Sequence, residues 1–170
     1  KDTGLTDAGR AIVNKGNELG MIFDVSHLSD QSFWDLAEIS KKPLIASHSN
    51  FRTLCPHSRN LTDDMARFIV EHDGMIGLNM YPDFIDENAD LQTVDRYFDH
   101  LDYCIDKFGS DNVGFGGDVD GTSGEYPSPI TEDYSIHDQF MEVMHRRGYS
   151  EEIIEKFAYK NYLKFLKKHL

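Results

Sequence analysis

Short apolar runs alternate with longer amphipathic stretches along the chain, and this alternation limits the folds that it can adopt. Four runs of strand length occupy residues 21–27, 43–49, 74–80 and 112–118. Stretches with helical spacing surround them at 5–19, 30–40, 63–72, 92–108, 135–147 and from Ser150 onwards. Strands separated by helices run parallel and are joined by crossover connections. The pattern predicts an α/β fold, either a small doubly wound sheet or part of a larger (β/α)₈ barrel, which takes roughly 250 residues when complete.

The helical stretches carry their own start signals and an apolar face. Thr62 precedes residues 63–72 and Ser150 opens the terminal stretch. Both residue types cap helices, because their hydroxyl groups accept hydrogen bonds from N–H groups of the first turn. The apolar side chains of these stretches should face the core. In the first two stretches they include Leu5, Ala8, Ile12, Leu19 and Trp34.

The size and charge of the chain narrow its possible partners. With 170 residues, of which 39% are hydrophobic, the chain can form one region with a substantial core, and no linker divides residues 1–170. The net charge is −13, from 30 acidic and 17 basic residues. We expect no nucleic-acid partner, because such binding depends on neutralising phosphates with basic side chains.

The two cysteines point to a reducing compartment, and the lengths of the apolar runs bear on whether the chain has a membrane span. Cys55 and Cys104 are far apart in sequence and form neither a metal-binding pair nor a disulfide framework. No apolar run approaches the roughly 20 residues of a membrane span. We therefore expect free thiols, no membrane segment and a cytoplasmic location. Because the first residue is Lys1, we also expect a processed product or a piece of a longer chain.

Polar side chains gather where the predicted strands end. These side chains are Asp24, His27, His48, Asn79, Asp118 and Asp120. The carboxyl ends of parallel strands form one edge, where active sites of α/β folds lie. Two imidazoles and a carboxylate suit a divalent ion such as zinc, so His27, His48 and Asp118 are candidate metal ligands. Each could instead be structural, as a hydrogen-bonded histidine or an aspartate in a turn.

Arg59 lies in the loop that follows the His48 strand, at the same predicted edge. The forked guanidinium group of arginine suits bidentate binding of a carboxylate or phosphate. The alternative is a surface arginine that braces the loop.

The glycine-rich stretch "GFGGDVDG" at 114–121 fits no common ligand loop. It lacks the third glycine of a dinucleotide-binding turn, the lysine of a P-loop and the third oxygen ligand of a calcium loop. A serine nucleophile elbow of the type G-x-S-x-G is also absent from the sequence. We interpret these glycines as a tight turn that directs Asp118 into a metal site, whereas Asp120 shapes the loop that follows.

Several of these segments resemble the renal, or membrane, dipeptidase family of metallopeptidases. They are "DVSHLS" at 24–29, "ASHSN" and "CPHSRN" within 46–60, and "VGFGGDVDG" at 113–121. The segments at 4–10 and 146–166 also look like that family, so the resemblance runs in order over nearly the whole chain.

The resemblance implies a zinc-dependent dipeptidase on a (β/α)₈ barrel, with two zinc ions bridged by a glutamate and other divalent metals as possible substitutes. His27 and His48 would bind one zinc. Asp118 would bind the other and act as the catalytic residue beside the attacking water. Arg59 would contact the terminal carboxylate of a dipeptide substrate. Some members of the family also open β-lactams.

The family pattern is only partly represented. Its first strand carries a His-x-Asp pair and its third strand the bridging glutamate, and both precede the region matched here. No His-x-Asp follows any of the four predicted strands of this chain. The chain therefore resembles the second half of the barrel, strands 5–8. Alone it should have weak or no activity, and it should pair with the missing N-terminal half or with itself as a homodimer.

Two other functions remain open at the sequence level. One is a non-catalytic α/β binding module that retains the rim of the barrel. The other is a metal-dependent amide or lactam hydrolase on a related barrel.

Overall fold

A computed structural model describes residues 2–118 and 136–170, without the side chain of His137. The predicted loop at 121–131 lies outside the described residues, as does Asp120, so the role predicted for Asp120 stays a prediction.

Helices and strands alternate as the sequence predicts. In chain order they are α1 (Asp7–Glu18), α2 (Asp30–Ile39), β1 (Ile45–Ala46), α3 (Asp63–Glu71), β2 (Met75–Asn79), α4 (Pro82–Ile85), a 3₁₀ turn (Ala89–Leu91), α5 (Val94–Phe108), β3 (Val113–Gly117), α6 (Ile136–Arg146), α7 (Glu151–Glu155), a π-helical turn (Lys156–Lys160) and α8 (Asn161–His169).

The strands form one parallel sheet in the order β1-β2-β3. This arrangement confirms the predicted α/β class with parallel strands. Most of the predicted helices start at a side-chain cap, because the hydroxyl of the preceding residue accepts a main-chain N–H of the first turn. The capping residues are Thr6, Ser29, Thr62, Thr93 and Ser150.

The first predicted strand, 21–27, is reduced to a parallel bridge between Asp24 and Ile45. The ladder begins normally, with Ile45 N–H donating to Phe23 O and Val25 N–H donating to Ile45 O. In a parallel ladder Ser47 N–H would next donate to Val25 O. It donates instead to the carboxylate of Asp24, at 3.0 Å. A side chain thus replaces the next main-chain acceptor, and the strand ends there.

The core lies between the sheet and the surrounding helices, and it excludes some residues that the sequence assigns to it. In α1 the buried residues are Val13 and Gly16, and Gly16 lies against the ring of Phe23. Ile12 is 69% exposed and Leu19 66% exposed, so the predicted apolar face of this helix is wrong by about one position.

Trp34 is also more exposed than predicted. It packs edge-to-face on Phe33 and Phe68 at the outer surface of α2 and α3, and 39% of it remains exposed. Among the described residues, no helix combines the length and the apolar character that crossing a membrane would require.

Candidate functional site

His27, His48 and Asp118 meet at the edge where the parallel segments end. The Nε2 atoms of His27 and His48 are 2.9 Å apart, and the two rings are in edge contact. The Nε2 atom of His48 lies 3.9 Å from Oδ2 of Asp118. The three candidate ligands, which are far apart in sequence, therefore lie close together in the structure.

The main chain positions His48 directly after β1. Its N–H donates to Oγ of Ser26, at 2.9 Å, and Ser26 in turn is 3.2 Å from Oγ of Ser49. The ring nitrogen Nδ1 lies 2.7 Å from Oγ of Ser47. The backbone of His48 is thus bonded to a serine of the neighbouring segment, and its ring contacts the serine that precedes it.

His27 is exposed and stands in an unusual backbone conformation, with φ 131°. A non-glycine residue rarely adopts positive φ, and such strain is concentrated at functional sites. Partial desolvation lowers the pKa of the imidazole, and the positive charge of Arg59 lowers it further. His27 is therefore held mainly in the neutral form that a metal ligand requires.

Asp118 follows a bulge in the sheet. The register between β2 and β3 shifts at Leu78 and Asn79, and then both Gly117 (φ 54°) and Asp118 (φ 67°) adopt left-handed conformations. Bulges re-aim side chains near active sites. Here Nδ2 of the fully buried Asn79 donates to Oδ2 of Asp118, at 3.3 Å, and to His48 O, at 3.2 Å.

The glycines before Asp118 have two different roles. Gly117 makes the predicted tight turn. Gly116 is needed for close packing instead, because a Cβ on it would lie 2.5 Å from Ser47 O and 2.6 Å from the backbone of Gly77. Its lack of a side chain allows adjacent strands to approach closely.

Asp24 adds a second carboxylate to this edge. Its Oδ1 accepts from Ser26 N–H and Ser47 N–H, each at 3.0 Å, and its Oδ2 accepts from the hydroxyl of Ser47. Desolvation of the carboxyl group raises its pKa, but the hydrogen bonds from Ser47 and Ser26 outweigh this effect, so the pKa lies below its usual value. Asp24 is therefore ionised at neutral pH.

Arg59 has buried polar atoms that nothing in the described residues satisfies. Its Nε and Nη2 are buried without a hydrogen-bond partner, and its guanidinium group lies 5.1 Å from the centre of the Phe84 ring. Burial lowers the pKa of Arg59, whereas the charges of Asp118 and Asp24 oppose that shift. Buried unpaired N–H groups are costly, so this arrangement is typical of a site that receives an anion.

The loop around Arg59 is braced by a different arginine. Arg52 binds both carboxylate oxygens of Asp30, at 2.7 and 2.8 Å, and donates to Ser58 O and Asn60 O. The bracing role considered for Arg59 from the sequence is thus filled by Arg52.

The donor set suits a metal ion but does not complete a site. Two ligands bound to one zinc at about 2.0–2.1 Å lie roughly 3.3 Å apart in tetrahedral geometry, close to the 2.9 Å between His27 and His48. Within residues 2–118 and 136–170, however, no three His, Cys, Asp or Glu side chains are grouped so that they could hold one ion together. The spacing of the imidazole pair thus suits one ion, and the described residues add no third ligand to it.

The sequence does contain one His-x-Asp, His100-Leu101-Asp102, but it lies within α5 and away from any strand end. His100 is fully buried, and its Nδ1 accepts from Phe51 N–H, at 3.2 Å. Its Nε2 is 2.9 Å from Ile85 O and donates to it. Both ring nitrogens are occupied by the main chain, so this pair is structural.

Three residues of the site were not predicted to take part in it. In the sequence Asn79 and Asp24 are simply polar strand ends, and Ser47 has no distinguishing feature. A polar residue directly before a candidate ligand was the only sequence signal for Ser47, and such signals are common.

Comparison with known proteins supports one family. A model of the membrane dipeptidase family, peptidase family M19, matches residues 1–169. An uncharacterized protein of Klebsiella pneumoniae, from the pqqA 5' region, is 35% identical over 170 residues, which cover 96% of this chain and 60% of the relative. The dipeptidase aclJ of Aspergillus oryzae is 36% identical over 148 residues, which cover 86% of this chain and 35% of the relative.

Solved structures agree in fold. A metallopeptidase of Rhodobacter sphaeroides, solved with a phosphinate mimic of the dipeptide L-Ala-D-Ala, has a TM-score of 0.89 and 33% identity, covering 100% of this chain and 48% of that chain. The dipeptidase AC, of peptidase family M19, has a TM-score of 0.89 and 34% identity, and the match covers 99% of this chain and 50% of that chain.

The chain spans between 35% and 60% of the length of these curated relatives, and about half of the two solved chains. The family match covers nearly every residue, and the segments on which the sequence resemblance rests lie within it. The chain belongs to the membrane dipeptidase family of metallopeptidases, peptidase family M19.

Proposed function

We propose that this chain supplies the second-half portion, strands 5–8, of a barrel metallodipeptidase that hydrolyses dipeptides with a metal-activated water. The observation that carries the proposal is the convergence of His27, His48 and Asp118 at one strand edge. Arg59 lies near enough to interact with the charges of Asp118 and Asp24, and its Nε and Nη2 atoms have no hydrogen-bond partner among the described residues. A relative of similar fold binds a phosphinate mimic of a dipeptide, which supports the substrate class.

His27 and His48 would hold one ion and Asp118 the second, and zinc fits nitrogen and oxygen donors of this kind. When bound, the pair of ions supplies a water of lowered pKa and polarises the scissile carbonyl group. Through the hydrogen bond to Oδ2, Asn79 keeps the carboxylate of Asp118 directed at the metal edge, which is the strand edge where His27, His48 and Asp118 meet. Asp118 would orient the attacking water from that position.

Arg59 would bind the terminal carboxylate of the dipeptide. Its Nε and Nη2 atoms are buried and lack partners within residues 2–118 and 136–170, and a carboxylate would satisfy both at once. The ring of Phe84 supports the guanidinium group from one side and limits its movement. Anchoring the carboxylate would place the peptide bond at a fixed distance from the metal edge and favour dipeptides over longer chains.

Replacing Arg59 by alanine should weaken binding of a dipeptide to the zinc-loaded protein about 10- to 100-fold. A hydrogen bond to a charged group contributes about 1.5–3 kcal/mol, and 1.4 kcal/mol corresponds to a factor of ten. The dissociation constant would be measured by calorimetry for a dipeptide and for its C-terminal amide. The amide should bind weakly to both proteins.

Arg67→Ala is the matched control, because Arg67 also lies over a phenylalanine ring, Phe108, at 5.7 Å. It should leave dipeptide affinity unchanged. Equal affinity for the dipeptide and its amide would contradict the role of Arg59 and would favour another metal-dependent amide or lactam hydrolase.

We also propose that this chain alone is a weak catalyst or none. The described residues offer an imidazole pair and Asp118, but no three-ligand group. The complete centre would need ligands from the complementary half of the barrel, or from a partner copy in a homodimer.

Metal analysis and a dipeptide-hydrolysis assay on the chain alone test this idea. We expect at most one loosely held zinc per chain and hydrolysis at the background rate. Two tightly bound zinc ions with robust turnover would show that the chain needs no further ligands.

A further inference from the structure

We propose that Asp24 and Ser47 are positioning residues that fix His48 in the tautomer protonated on Nδ1, so that its Nε2 presents a lone pair to the metal edge. The inference concerns the imidazole itself and rests on the proposed metal-binding role only for its consequence. It is carried by a continuous chain of contacts from the Asp24 carboxylate through the Ser47 hydroxyl to the His48 ring.

The direction of each hydrogen bond follows from the number of protons available. An ionised carboxylate can only accept, so the single hydroxyl proton of Ser47 is donated to Asp24. The Ser47 oxygen then has only lone pairs left for the ring nitrogen 2.7 Å away. In the neutral ring of His48, Nδ1 must therefore carry the proton, which leaves Nε2 unprotonated.

The main chain prevents this arrangement from relaxing. Oδ1 of Asp24 is held by the N–H groups of Ser26 and Ser47, which fixes the second oxygen towards the Ser47 hydroxyl. The N–H of His48 is bonded to Ser26. Carboxylate, hydroxyl and imidazole are thus attached to the same two adjacent segments, which leaves little freedom for a rotated hydroxyl.

A consequence follows for His27. Its Nε2 is 2.9 Å from Nε2 of His48, and a hydrogen bond at that distance needs one proton. Because His48 cannot supply it, His27 carries its proton on Nε2 in the metal-free protein. The two neighbouring histidines should therefore be opposite tautomers.

The alternative is that Asp24 only ends the short strand, by taking the N–H of Ser47 from the ladder. That role involves Oδ1 alone and does not constrain the tautomer of the His48 imidazole. Replacing Asp24 by asparagine separates the two roles, because the amide oxygen can keep both main-chain bonds. The amide nitrogen would then face Ser47 and donate to it, and the Ser47 proton would turn towards Nδ1 of His48.

The test is ¹⁵N NMR of the histidine ring nitrogens in the metal-free chain, at about pH 8.5, two units above the usual imidazole pKa of about 6.5. His48→Gln identifies the signals of His48 among the eight histidines. We expect protonated Nδ1 in the unchanged chain, protonated Nε2 in Asp24→Asn, and retention of the original tautomer in Ser47→Thr, which keeps the hydroxyl group.

Ser49→Ala is the matched control, since the Ser49 hydroxyl is buried beside His48 in the chain but bonds to Ser26 rather than to the ring. It should leave the tautomer unchanged. A His48 protonated on Nε2 in the unchanged chain would overturn the proposal, as would an unaltered tautomer in a folded Asp24→Asn variant.

Zinc affinity, measured by competition with a chelator, separates this inference from the proposed function. Loss of an outer partner of a metal-binding histidine typically costs 10- to 100-fold in affinity, and we expect a loss of about that size for Asp24→Asn. If the tautomers behave as expected and no variant binds zinc, the hydrogen-bond relay stands and the metal role of His48 fails.

Discussion

A variant in which His27 and His48 are both replaced by alanine is expected to bind zinc at least about 100-fold more weakly than the unchanged chain. The free energy of zinc binding to structural protein sites with a full ligand set is about 10–16 kcal/mol in magnitude. A hundredfold loss of affinity corresponds to only about 2.8 kcal/mol of it. Removing both nitrogen donors leaves only carboxylates at this edge among the described residues. The affinity would be measured by titration against a zinc indicator.

The matched control removes two other histidines. Both His72 and His145 are exposed. His72 directly follows α3 and its ring is hydrogen-bonded to Phe68 O, whereas His145 lies within α6 and contacts Glu151. Their double alanine variant should retain the zinc affinity of the unchanged chain. Equal affinity in all three proteins would exclude the imidazole pair as a metal site and favour a non-catalytic binding module.

Lowering the pH from about 7 to about 4 is expected to reduce the free energy of unfolding by about 3 kcal/mol through His100 alone. Burial lowers the pKa of this imidazole from 6.5 to about 4. Protonating it in the folded state would also break the hydrogen bond that its Nδ1 accepts from Phe51 N–H. The difference between the folded and unfolded pKa values, at 1.36 kcal/mol per unit, gives the expected size.

The direction follows from proton binding. Between pH 6.5 and about 4 the unfolded chain holds a proton on His100 and the folded chain does not, so acid favours unfolding in this window. Below about pH 4 both states are protonated and the contribution of His100 levels off. Chemical denaturation at several pH values measures the slope.

Carboxylates with lowered pKa values, such as Asp30 and Asp95, add their own losses at lower pH. A comparison of variants isolates the histidine. His100→Gln, which offers one donor and one acceptor, should lack most of the slope between pH 6.5 and 4. His145→Gln, at an exposed site, should keep it. An unaltered slope in a folded His100→Gln variant would contradict the assignment.

Much of the fold could be predicted from local patterns. The predicted helix after Thr62 and the long helix ending at Phe108 both appear, because capping hydroxyls and apolar spacing act within a few residues. The burial of α1 could not be predicted in the same way. Whether Ile12 or Val13 faces the core depends on where α2 and the Phe23 ring lie, and the spacing of α1 alone does not contain that information.

The candidate site shows the same division. His27, His48 and Asp118 could be selected because ionisable residues at the ends of parallel strands share an edge, whatever their separation in sequence. The Asp24 carboxylate could not be linked to His48, because the link passes through the side chain of Ser47 on another segment. The lack of partners for Nε and Nη2 of Arg59 in the described part of the chain likewise depends on what surrounds its guanidinium group.

The sequence by itself determined the order of elements, the parallel α/β class, the family resemblance and the candidate ligands, since these follow from periodicity, capping and residue type. Only the tertiary structure decided that the first strand shrinks to a bridge, that a bulge and two left-handed residues aim Asp118, and that Arg52 rather than Arg59 braces the loop. The physical reason is that hydrogen-bond partners and burial are properties of atoms close in space, and sequence distance does not measure them.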